Sequence, residues 1–173
     1  MIKQWHYRGE FRPDFADPVG PDQESVWDYP RPPAMNRDSR TIHVETLLEV
    51  PIAKTGRAWK IAETAAPPTF YLPAEDVALS KMVRATGTSF CEWKGTAHYW
   101  ALASEPEVAI AWDYPEPNIE YAVLKDCLAF YPGRVACFVE GEPVTPQPGR
   151  FYGGWITREL VGPFKGDPGS EDW

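Results

Sequence analysis

Short alternating runs carry most of the hydrophobic residues of this chain. Ile42, Val44 and Thr46 alternate with His43 and Glu45, the period of two expected of a strand with one buried face. A second apolar stretch, 47–53, is interrupted by Pro51. Residues 59–63 and 69–72 read as two more short strands, the first ended by Pro67-Pro68 and the second by Pro73. Residues 97–103 and 107–112 form the next pair, and Val108, Ile110 and Trp112 of the latter share a face. Residues 128–131 and 135–140 follow, with Pro132-Gly133 as the turn between them. The pattern predicts one helix, over 73–84. Pro73 suits a first helical position, Glu75 and Asp76 suit the positive end, and Gly87 stops it.

The flanks lack any period. Residues 1–39 read as an irregular arm punctuated by Gly and Pro, with regular structure beginning near Arg40. The arm carries Trp5, Tyr7, Phe11, Phe15, Trp27 and Tyr29. Disordered segments are poor in aromatic residues, so the arm is expected to wrap a body spanning 40–145 in extended form and bury several rings. The tail, 146–173, is rich in Gly and Pro yet keeps Phe151, Trp155, Leu160 and Phe164, which predicts packing on the same body. Trp27-Asp28-Tyr29-Pro30 recurs as Trp112-Asp113-Tyr114-Pro115. The flanking residues do not repeat, so this is a local turn solution used twice.

Composition sharpens the β assignment. Nineteen prolines among 173 residues disfavour long helices, because each removes an amide donor and clashes one turn back. Aromatic residues reach 14% and favour strands. The net charge of -8 argues against nucleic acid and against an anionic membrane surface, since both demand a basic field. No apolar run approaches the ~20 residues of a membrane-spanning helix, and the first residues show no secretory pattern. Cys91, Cys127 and Cys137 form no Cys-x-x-Cys pair. An odd count without pairing predicts reduced thiols and a cytoplasmic setting.

Candidate chemistry concentrates in Thr88-Ser89-Phe90-Cys91-Glu92-Trp93-Lys94-Gly95-Thr96-Ala97-His98-Tyr99-Trp100. Cys91, with Lys94 and His98 nearby in sequence, reads either as a thiolate nucleophile activated by a cation or as a small buried hydrophobe. Lys94 reads either as the partner of an anionic ligand or as a stem laid over neighbouring rings. Tyr71, Trp93, Tyr99, Trp112, Tyr114 and Tyr131 read as core packing or as the wall of a cavity. Buried phenols need partners, and Lys94 and Glu63 could supply them. The three histidines, His6, His43 and His98, lie far apart, and no metal-ligand spacing occurs. No metal and no cofactor are expected.

Four ordered motifs then carry a resemblance. They are Glu63-x-x-x-Pro67-Pro68-x-x-Tyr71-x-Pro73-x-Glu75-Asp76-Val77, Cys91-x-Trp93-Lys94-Gly95-x-Ala97-x-Tyr99-Trp100, Ala111-Trp112-x-Tyr114-Pro115-x-Pro117 and Phe130-Tyr131-Pro132. Over roughly 40–145 the chain resembles the family called domain of unknown function 427, sometimes labelled as nucleotidyltransferases. Trp27 to Pro33 and Phe151 to Trp155 are similar to the flanks of longer members. Members usually read Cys-Pro-Trp-Lys, whereas Glu92 stands here in place of the Pro. The resemblance implies a mainly β, β-tent-like fold, with two small antiparallel sheets meeting at an angle. Relatives of that fold often carry two zinc-binding Cys pairs, which this chain lacks. Nucleotidyl transfer typically calls for clustered acidic residues holding a divalent metal, and none stands out.

The leading expectation is a single-domain protein, monomer or homodimer, that binds an unknown small molecule around Lys94. Glu63, Tyr71, Trp93, Tyr99, Trp112, Tyr114 and Tyr131 would complete the site. The alternatives are an enzyme with Cys91 or Lys94 as its reactive catalytic group, and a protein-interaction module docking through the arm.

Overall fold

The pleat of a strand sends successive side chains to opposite faces, and this chain uses that alternation to serve two different environments. The computed structural model describes residues 4–173. Fifteen strands occur along it: β1 (Glu24–Ser25), β2 (Ala34–Asp38), β3 (Ile42–Glu45), β4 (Pro51–Thr55), β5 (Ala58–Ala62), β6 (Thr69–Pro73), β7 (Met82–Cys91), β8 (Gly95–Leu102), β9 (Glu105–Asp113), β10 (Cys127–Phe130), β11 (Ala136–Val139), β12 (Glu142–Pro143), β13 (Thr145–Pro146), β14 (Trp155–Ile156) and β15 (Leu160–Val161). The fold is therefore mainly β, as the alternation predicts. A seven-stranded sheet has the order β2-β5-β6-β10-β9-β8-β7, and a four-stranded sheet has the order β12-β11-β3-β4. Every pairing within these two sheets is antiparallel. Two short ribbons, β1 with β15 and β13 with β14, tie the flanks together.

The main core packs one face of the large sheet against the small sheet. Phe70, Leu72, Ile110, Leu128 and Phe130 come from the large sheet, and Ile42, Val44, Ile52, Cys137 and Val139 from the small one. Tyr71 and Ala129, between them in sequence, point the other way, whereas in β9 a register shift at Ile110 puts Ile110 and Trp112 on opposite faces, against the shared face that their spacing predicts. Ile61, Tyr71, Ala97, Trp112, Cys127 and Ala129 form a second cluster on the opposite face of the large sheet. A third cluster, with Val26, Trp27, Tyr29 and Leu160, joins arm and tail to the end of β5.

Several expectations change. The stretch 73–84 is not one helix. It is two three-residue 3-10 turns, Ala74–Asp76 and Leu79–Lys81, and its last residues open β7. Tertiary pairing overrides the local helix signals. Val77 is extended and bridges to Ala53, while the Asp76 carboxylate accepts from Thr55 at 2.7 Å and from Arg57 at 3.0 Å. Further 3-10 turns occur over Ile119–Leu124, on either side of a kink at Tyr121. Regular structure begins before Arg40, because β2 pairs with β5 along its whole length. The apolar residues Leu47 and Leu48 are exposed in a turn, where Thr46 Oγ1 accepts from the Leu48 and Val50 amides. The Pro132-Gly133 turn does not close a hairpin; it carries the chain from β10 in the large sheet to β11 in the small one. Of the six arm rings, Trp27 and Tyr29 are buried, Trp5 and Tyr7 are half-buried, and Phe11 and Phe15 are exposed.

Candidate functional site

A tight hairpin positions the central side chain. β7 and β8 pair from Met82 opposite Leu102 to Cys91 opposite Gly95, leaving Glu92, Trp93 and Lys94 as the turn. Gly95 has φ +101°, and a Cβ there would sit 3.4 Å from the Glu116 carbonyl oxygen. Glycine therefore permits both the backbone twist and the close approach of the following loop. That loop fastens the turn. Asn118 donates its backbone N–H to the Lys94 carbonyl at 3.0 Å and its side-chain amide to the Trp93 carbonyl at 2.7 Å. With its backbone pinned, Lys94 turns its side chain under the large sheet, where the residue is 8% exposed.

The aromatic face of the large sheet and the flanks enclose a cavity of about 400 Å³. The residues proposed from the sequence to form the site all line it: Glu63, Tyr71, Cys91, Trp93, Lys94, Tyr99, Trp112, Tyr114 and Tyr131. The indole N–H of Trp112 donates to the Tyr71 hydroxyl at 3.1 Å, and the Tyr99 hydroxyl lies 2.7 Å from Ser89 Oγ. Trp112 and Tyr131 pack with ring centroids 4.5 Å apart. The Lys94 ammonium lies 5.8 Å from the centre of the Tyr114 ring. His98 is not part of this arrangement. Ala97 and Tyr99 line the cavity, so the alternation of β8 leaves His98 exposed on the other face. Cys91 thus has no imidazole beside it to act as a base.

Glu63 is already engaged. It accepts from Arg31 Nε at 2.8 Å and, more weakly, from the Trp93 indole at 3.4 Å. Lys94 makes no ion pair within 4.0 Å among the described residues. Burial by itself disfavours the ammonium, but Tyr71, Cys91 and Glu63 around it together raise its pKa above the ordinary lysine value. Burial also raises the Tyr71 phenol, against a smaller opposing pull from Lys94, and raises Tyr114. At neutral pH the cavity therefore presents a charged amine beside two protonated phenols. A protonated amine is a strong hydrogen-bond donor and a poor nucleophile.

Sequence reasoning missed the roof. Trp5, Arg31, Gln147, Phe151, Tyr152, Gly153, Gly154 and Lys165 also line the cavity, and all lie in the arm or the tail. Arg31, 5% exposed, spends its fork on Glu63, on the Tyr7 and Thr64 carbonyls and on the Trp173 main-chain oxygen. Its guanidinium also lies 4.0 Å from the Trp5 ring centre. The Lys165 ammonium also lies over the same indole, 4.3 Å from a ring centroid, and the Trp5 N–H donates to Glu92 at 2.5 Å. The glycine pair closes the other wall. A Cβ on Gly153 would fall 2.4 Å from the Trp112 ring, and one on Gly154 would fall 2.3 Å from Gln147 Oε1. The Gly-Gly pair and the ring density of the arm were the visible signals of a close lid over an aromatic surface.

Among the described residues, no three His, Cys, Asp or Glu side chains are grouped so as to hold a metal ion, and no helix is long and apolar enough to cross a membrane. The family model described as Domain of unknown function (DUF427) matches residues 34–141, and the chain belongs to that family. No curated protein matches it.

Proposed function

We propose that this DUF427 protein binds a small molecule in the cavity beneath its large sheet, with an anionic group of the ligand on Lys94. One observation carries the reading: a lysine more than nine-tenths buried faces an aromatic cavity with no carboxylate in salt-bridge reach. A buried charge is costly unless paired, and the phenols beside Lys94, which burial holds protonated, supply dipoles but no full counter-charge. A bound anion supplies it. The cavity volume, about 400 Å³, lies within the ~300–1,000 Å³ common for small-molecule sites. The mostly apolar lining with a few convergent polar groups has the same character.

Binding is favoured over catalysis by Lys94, because the raised pKa keeps the amine protonated. It is also favoured over docking through the arm. Trp27, Tyr29 and Arg31 of the arm are spent on the body itself. The test is a melting and Trp-fluorescence screen of the intact protein against small anions, each paired with a neutral isostere. Anions are expected to raise the melting temperature, and Lys94→Met is expected to weaken them at least about tenfold, the loss of one charge-assisted hydrogen bond. Cys91 is the one half-buried thiol, while Cys127 and Cys137 are buried, so a bound ligand is also expected to slow alkylation of Cys91. If no anion shifts the melt, or if Lys94→Met leaves every shift intact, the reading falls.

A further inference from the structure

We propose that the ligand class is a planar aromatic monocarboxylate, an inference that rests on the cavity being a ligand site. Charge is the first argument. Among the described residues, three cations (Arg31, Lys94, Lys165) and two carboxylates (Glu63, Glu92) line the cavity, so a single positive charge is left over. Its place follows from the partners: Glu63 lies on Arg31, and the Lys165 ammonium donates to the Glu171 and Trp173 main-chain oxygens, which leaves Lys94 at the inner end. A monoanion closes that balance. A phosphate dianion would bring two charges to one ammonium, with the Glu63 carboxylate close enough to act on the same amine.

The donors are the second argument. Tyr71 and Tyr114 both stand beside Lys94 with their protons retained. An indole can only donate, so the Tyr71 oxygen accepts from Trp112, and its own proton is directed away from that ring. An ammonium and a phenol together match the two oxygens of one carboxylate. Shape is the third argument. Ten of the twenty-five lining residues are aromatic, and rings pack best on flat partners in stacked or edge-to-face contact. Gly153 lets the roof approach the Trp112 and Tyr131 rings so closely that a Cβ would strike them, which narrows the cavity beside this wall to a slot.

The test is calorimetric titration of the wild-type protein at pH 8 with four probes: 2-naphthoate, 2-naphthamide, 2-naphthyl phosphate and cyclohexanecarboxylate. A phosphate monoester is dianionic there, its second pKa being about 6. 2-Naphthoate is expected to bind at least about tenfold more tightly than each of the others, the size of one charge-assisted contact or one ring stack. Equal or tighter binding of 2-naphthyl phosphate overturns the monoanion assignment and leaves the anion site standing. Equal binding of the amide overturns the inference together with the role given to Lys94. Equal binding of cyclohexanecarboxylate overturns planarity. If none of the four binds, the class is overturned, and the broader anion screen decides separately whether the cavity is a site at all.

Discussion

The two faces of the seven-stranded sheet are made by the same strands and do opposite things. Phe70 and Leu72 of β6 face the small sheet, while Tyr71 between them faces the cavity. On β10, Leu128 and Phe130 go to the first face and Cys127 and Ala129 to the second. The first face is covered by another sheet, whose regular spacing lets aliphatic side chains interdigitate. The second is covered by a hairpin turn, an arm and a tail, whose irregular backbone leaves a hollow that rigid rings border without filling. The difference teaches how stability and recognition can be separated at a spacing of one residue. A change on the first face acts on the fold, and its neighbour in sequence acts on the cavity.

The sharpest way to break that comparison is a pair of adjacent substitutions. Phe130 is wholly buried between the sheets, so Phe130→Ala is expected to cost about 3–5 kcal/mol. Tyr131, next in the chain, borders the cavity, and Tyr131→Phe is expected to cost less than about 1 kcal/mol, the scale of a single net hydrogen bond. Urea unfolding of both variants measures the ratio. Similar losses at the two positions would mean that the faces are one mechanical unit.

A smaller effect comes from the roof. Gly153→Ala places a Cβ where the Trp112 ring now lies, and ring or roof must yield. The expected cost is about 1–3 kcal/mol, typical of overpacking, with a changed near-ultraviolet signal from Trp112. Gly141, unlike Gly153, has a positive φ, and no atom lies within 4 Å of a Cβ there. Gly141→Ala therefore reports backbone strain alone, about 1 kcal/mol, and leaves the aromatic signal unchanged. If both variants alter that signal equally, close contact at Gly153 is not what shapes the slot.

How far the sequence could be read follows from the same contrast. Period-two alternation located β3, while β6 and β10 were legible as short apolar runs bounded by Pro, because they are covered on both faces. The ring-bearing motif around Lys94 and the scattered Tyr and Trp residues could be named as one set, and the large sheet brings them to one cavity. Two kinds of feature escaped. β7 is an edge strand with most side chains exposed, so it has no alternation to show, and its start is hidden in a stretch with helix-like end signals. The roof residues Arg31, Gly153 and Lys165 are placed by contacts across most of the chain length, as in the Arg31 bond to Trp173. No local pattern encodes such pairing. The sheet change at Pro132-Gly133 was missed for a related reason: the turn residues fix the bend, and the partners of the next strand are chosen elsewhere.

The smallest expected effect is a difference in alkaline behaviour between the faces. The cavity face holds Lys94, Tyr71 and Tyr114, all with raised pKa values, and Cys127, pushed up to about 11 by burial. The aliphatic core holds one such group, Cys137, also raised by burial. Each of these keeps its proton in the folded protein at a pH where the unfolded chain has released it. Their contribution is therefore fully present below the unfolded values, about 8.5 for thiols and about 10 for Tyr and Lys. It is lost as pH rises through the folded values, by up to about 1.4 kcal/mol per pH unit for each proton retained. Urea midpoints are expected to hold from pH 7 to pH 8 and to fall progressively above the thiol range, most steeply beyond about pH 10. Tyr114→Phe removes one cavity-face proton and is expected to make the limb above pH 10 shallower. Cys137→Ala removes the core thiol and is expected to make the limb shallower from the thiol range upward, since the folded thiol holds its proton far past that range. If Tyr114→Phe leaves the limb above pH 10 as steep as in the unsubstituted protein while Cys137→Ala flattens it, the titrating groups that matter lie between the sheets, and the division of labour between the two faces fails at its electrostatic end.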